Sequence, residues 1–122
     1  MLSGIIAVSS EVGTGSRQES ASKQESWMPA YYIGEHLITN AAVFEEYLAL
    51  VMPMIERFGG RYLTRRGSHE ILEGDWKPNR VVVVEFPDKA SIRRWYEAPE
   101  YQPLIALRQS AATDVMIMLD GV

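Results

Sequence analysis

Arg108 is the residue whose position asks most insistently for a chemical explanation. Tyr101, Leu104, Ile105 and Arg108 recur at the spacing of one helical face, so a guanidinium stands on an otherwise apolar stripe. A charge in such a place needs a partner. The expected partner is a carboxylate such as Glu73, Glu85 or Glu100, in an ion pair that serves structure. The competing use is an anion clamp, in which the planar fork of arginine holds a small acidic ligand. Trp76, Tyr96 and Tyr101 could line a cleft between sheet and helices, with Arg65, Arg80 and Arg108 as its polar groups. Each of these aromatics could equally serve packing. Glu85 interrupts a run of valines, which makes it a candidate base or the ion-pair partner of Arg80 or Arg108.

Other chemistries find less support. His36 and His69 are the only imidazoles, and a metal site would require both to converge with Glu35, Glu70 or Glu73, which their spacing does not demand. No metal is expected, and His69, beside a turn, is expected to be solvated. The chain has no cysteine, which removes disulfides, thiolate catalysis and cysteine-ligated metal, and fits a reducing compartment; the cytoplasm is the default location. Gly13-Thr14-Gly15-Ser16 leads into polar sequence and not into a helix, so it is not read as a phosphate loop. No dinucleotide, Walker or nucleophile-elbow motif is present, and no cofactor is expected.

The elements that must position these residues follow from periodicity. Residues 1–27 open with a brief apolar stretch that does not read as a signal peptide, and continue as a Ser-, Gly-, Glu- and Gln-rich segment expected to be a flexible tail, a product of an upstream start. Ala30 to Ile38 reads as a strand. Thr39 or Asn40 can cap a helix whose stripe is Val43, Phe44, Tyr47, Leu48, Val51, Ile55 and Phe58, one element kinked near Ala49 to Pro53 and stopped by Gly59-Gly60. Arg61 to Arg66 and His69 to Glu73 read as a strand and its hairpin return. Arg80 to Phe86 is the clearest strand; Asp88 caps a helix through Glu97, Pro99 begins another, and Val115 to Leu119 closes the chain as a strand.

This order is the split β-α-β arrangement of an α+β, ferredoxin-like domain, an antiparallel sheet with helices on one face. Val81 to Val84 and Val115 to Leu119 are apolar on both faces, so the uncovered sheet face is expected to meet a second subunit. At 122 residues and 47% hydrophobic content the chain is one small domain, for which a homodimer is a natural source of further burial. A net charge of −4 with scattered Lys and Arg argues against nucleic acid and against a basic membrane-surface helix.

From Met28 onward the chain resembles the domain of unknown function 1330 family. The likeness rests on Met28-Pro29-Ala30-Tyr31, Gly59-Gly60-Arg61-Tyr62-Leu63, Leu72-Glu73-Gly74-Asp75-Trp76, Arg80 to Pro87, Trp95-Tyr96, Pro99-Glu100-Tyr101-Gln102 and Arg108. It implies a dimeric α/β barrel of two ferredoxin-like subunits over residues 28–122 and no particular activity. Barrels of this type include cofactor-independent oxygenases and isomerases, so two functions stand open by analogy of fold. One is the binding or transformation of a small acidic or aromatic molecule; the other is a non-enzymatic dimeric module. Two departures from the family pattern are the segment before Met28, and Ala98, where many members carry Ser.

Overall fold

The computed structural model describes residues 28–122, and the expectations for residues 1–27 lie outside the described residues. Strand β1 (Ala30–Ile38) alternates strictly: Ala30, Tyr32, Gly34 and His36 are buried, while their odd-numbered neighbours are less covered. Helix α1 (Ala41–Arg57) begins where the Asn40 side-chain oxygen accepts the Val43 amide at 3.1 Å. It buries Phe44, Tyr47, Leu48, Val51, Met54 and Ile55, and runs as one element through an exposed Pro53. Gly59 then takes a left-handed φ of 92°, and Gly60 passes so close to the core that a Cβ there would lie 2.5 Å from Ile55 Cγ2.

Strand β2 (Arg61–Thr64) is shorter than expected, and its hairpin partner is not His69 to Glu73. Residues 65–79 form an irregular, mostly exposed loop, and β2 pairs with β3 (Arg80–Phe86). The His69 to Glu73 run is fenced by Gly67-Ser68 and Gly74-Asp75, and β3 supplies the longer apolar face. Helix α2 (Lys89–Glu97) is capped by Asp88, whose carboxylate accepts the Ser91 amide at 2.7 Å. Pro99–Tyr101 forms a 3-10 turn before α3 (Gln102–Ala111). Strand β4 (Ala112–Asp120) starts three residues earlier than its apolar run, because its pairing with β1 extends to Ile38 opposite Ala112.

The four strands lie in the order β2-β3-β1-β4, all neighbours antiparallel, with the helices on one face. This is the ferredoxin-like α+β arrangement. The core between the layers is aromatic: the Trp95 ring lies 4.6 Å from Tyr101, 5.3 Å from Tyr32 and 5.9 Å from Phe86, centroid to centroid. On the opposite sheet face Leu37, Leu63, Val115 and Ile117 are exposed, Val115 by 61%. No helix among the described residues is long and apolar enough to cross a membrane.

Candidate functional site

Strand register sets Arg80 of β3, His36 of β1 and Asp114 of β4 side by side in a polar row across the sheet. His36 is 2% exposed, and its Nδ1 lies 2.5 Å from Asp114 Oδ1. Arg108, also 2% exposed, reaches down from α3 and donates from Nη1 to Asp114 Oδ2 at 2.7 Å. Burial pushes the Asp114 carboxyl upward, but the His36 hydrogen bond and the Arg108 charge outweigh it and hold the acid below its usual range. An ionised carboxylate only accepts, so the His36 Nδ1 carries the proton it donates. The other ring nitrogen faces Gly34, where a Cβ would lie 3.1 Å from His36 Nε2 and 2.6 Å from the Tyr32 hydroxyl. Glycine at position 34 therefore leaves room for both groups.

Phenol rings roof this row. The Tyr47 and Tyr101 hydroxyls are 2.8 Å apart and the Arg108 guanidinium lies 6.0 Å from the Tyr47 ring centre. Burial, then the neighbouring tyrosines, pushes the Tyr47 and Tyr32 hydroxyls well above their ordinary value. Both remain protonated donors at any physiological pH.

Beside this network runs a groove along the edge strand β4. One recess of about 260 Å³ is lined by Tyr32, Ile92, Trp95, Tyr96, Met116 and Met118 among others. A second, of about 410 Å³, is lined by Tyr96, Arg108, Gln109, Asp114 and Met116 among others. Tyr96 and Met116 belong to both, so the two adjoin. Among the described residues, two buried donors in groove-lining residues lack a hydrogen-bond partner: Trp95 Nε1 and Arg108 Nε. A buried donor left unpaired costs about 1–3 kcal/mol, which an acceptor on a ligand would remove.

The sequence-derived site residues divide into four places. Tyr96 and Arg108 line the groove, and Tyr101 is fully buried beneath it. The partner of Arg108 is Asp114, not Glu73, Glu85 or Glu100. Glu85 points to the opposite sheet face, where it accepts from Arg61 at 2.8 Å and from the Tyr31 hydroxyl at 3.3 Å, so it pairs with neither Arg80 nor Arg108. Its odd position in β3 dictates this, since Val82, Val84 and Phe86 take the helix side. Trp76 stands on the 65–79 loop, 58% exposed, donating to Glu35 at 3.2 Å and not lining the groove. Arg65 and Arg80 lie toward β2, also outside the groove. His69 is exposed, and no group of three or more metal-ligating side chains occurs among the described residues.

Four participants went unread: His36 as a member of the buried network, Asp114, Tyr32 and Trp95. Asp114 had a signal, because its parity with Met116 and Met118 puts it on the helix side of β4, six residues from Arg108.

A family model described as Domain of unknown function (DUF1330) matches residues 29–122. The chain belongs to the DUF1330 family. Among solved structures, this DUF1330 chain is similar to the RPA0582 protein of unknown function from Rhodopseudomonas palustris, with a TM-score of 0.67 and 19% identity over 86% of this chain and 93% of the other. It is also similar to SnoaB, a cofactor-independent oxygenase from Streptomyces nogalater, with a TM-score of 0.58 and 16% identity over 78% of this chain and 94% of that one. At such identities the likeness is one of fold. No curated protein matches this DUF1330 chain.

Proposed function

We propose that this chain works as a homodimer whose subunits each bind a small aromatic, acidic molecule in the groove between α2 and β4. The observation that carries this reading is the pair of unpartnered buried donors, Trp95 Nε1 and Arg108 Nε, in residues that line the groove's adjoining recesses. A planar ligand would stack among Tyr32, Tyr96, Met116 and Met118, with its acceptor oxygens toward those donors. Because Arg108 already shares its charge with Asp114, the site favours hydrogen-bond acceptance over strong charge pairing. A fold shared with a cofactor-independent oxygenase supports a site made of side chains alone; the proposal extends to binding and not to oxygenation. The dimer rests on the exposed Leu37, Leu63, Val115 and Ile117 of the uncovered sheet face, an apolar patch that association would bury.

A non-enzymatic module is the second reading, favoured by the complete burial of Trp95 and Tyr101. Thermal melts with 2-naphthoate as the probe separate the two. Binding predicts a concentration-dependent rise in melting temperature that Trp95→Phe, which keeps a ring and removes the donor, reduces. A melt unaffected by naphthoate at millimolar concentration favours the structural module and contradicts the binding reading.

A further inference from the structure

A second polar cluster, independent of the groove, occupies the other flank of the domain, where the end of β2, the start of β3 and the first half of α1 meet. Arg66 Nη2 donates to Glu45 Oε1 at 2.6 Å. That bond, ahead of the charges of Arg80 and Arg65, holds the Glu45 carboxyl below its ordinary value, so three guanidiniums act on one acid. The balance at Arg80 is unfavourable: burial first, then repulsion from Arg66 and Arg65, outweighs the attraction of Glu45 and pulls it below the usual arginine value.

Two of these guanidiniums have seats that fix their positions. The Arg80 carbon lies 5.4 Å from the Phe44 ring centre, and that of Arg65 lies 5.5 Å from the Tyr62 ring centre. Among the described residues, Arg65 Nε and Arg80 Nη1 are buried from solvent with no hydrogen-bond partner. The corner thus combines positioned donors without acceptors and three guanidiniums around the Glu45 carboxylate.

From this we infer an anion site formed by Arg65, Arg66 and Arg80, whose ligand is a phosphate group, either free or as a monoester. A dianion with several acceptor oxygens matches the three guanidiniums and supplies acceptors for both unpaired donors, in the forked geometry that arginine provides. Glu45 competes with the ligand for Arg66.

The test is the melting temperature of the full chain in inorganic phosphate, and separately in glycerol 3-phosphate, against sodium chloride of equal ionic strength. The expected result is a rise that grows with the logarithm of ligand concentration and reaches about 4 °C beyond the chloride control. A given rise reached at lower concentration with glycerol 3-phosphate than with phosphate identifies the monoester as the source; the reverse order identifies the free ion. Arg80→Met should weaken the effect by about tenfold or more, the scale of one charge-assisted hydrogen bond, and Arg80→Lys should restore part of it. Glu45→Gln should tighten binding, which keeps the proposal testable if Arg80→Met fails to fold. Stabilisation no greater than that of chloride, or a response unchanged in Arg80→Met and Glu45→Gln, overturns the inference.

Discussion

Removing the guanidinium of Arg108 would strand Asp114, whose carboxylate is 6% exposed and otherwise bonded to His36. Arg108→Met keeps the packing of the stem and is expected to destabilise the fold by about 2–4 kcal/mol, read by chemical denaturation. A change below about 1 kcal/mol would show that His36 alone can hold the acid. The same network fixes the acid limb of stability. Asp114 has a folded pKa below its unfolded value, so its contribution is complete above the unfolded value near ~4 and is lost as pH falls through the folded one. Melting temperature should therefore decline below about pH 4, and more shallowly in Asp114→Asn, which begins less stable. At this scale sequence was a partial guide. The burial of Arg108 and its need for an acid followed from helical periodicity, whereas its partner Asp114 was overlooked because β4 begins three residues ahead of the apolar run that marks it.

Elements were more legible than contacts. Strand β1, strand β3 and helix α2 follow from alternation and capping residues, because those signals lie within a few positions of one another. The His-Glu-Ile-Leu-Glu run within residues 65–79 carries the composition of a strand but is fenced by Gly67-Ser68 and Gly74-Asp75, and β2 pairs with the longer apolar strand β3 instead. The Gly59-Gly60 stop has a meaning beyond helix termination. A methyl on Gly60 would meet Ile55 and the Phe86 ring, the latter at 2.8 Å, both in the packed core. Gly60→Ala is expected to cost about 1–3 kcal/mol, while Gly74→Ala, which meets nothing within 4 Å but sits at φ 97°, tests strain without a clash. A loss within about 0.5 kcal/mol at Gly60, measured by denaturant melts, would show that Ile55 and the Phe86 ring yield to the added methyl.

For the whole molecule, the two sheet faces divide the labour: one is sealed by helices and holds the polar row, and the other offers Leu37, Leu63, Val115 and Ile117 to solvent. Light scattering at micromolar concentration should give twice the 13.8 kDa chain mass. Ile117→Lys should give the single mass, since a charge at the centre of an apolar interface is costly to bury. A monomeric wild type would contradict the dimer and leave that face unexplained. The groove between α2 and β4 is the more consequential claim, and the Trp95 indole N–H reports on it directly. The chain has three tryptophans, and comparison with Trp95→Phe assigns the signal in a proton–nitrogen correlation spectrum of the labelled protein. Titration with 2-naphthoate should move that one indole resonance downfield in a saturable way, as its unpaired donor gains an acceptor. An indole signal that stays fixed through the titration, with the other two also unmoved, would contradict the groove as a ligand site.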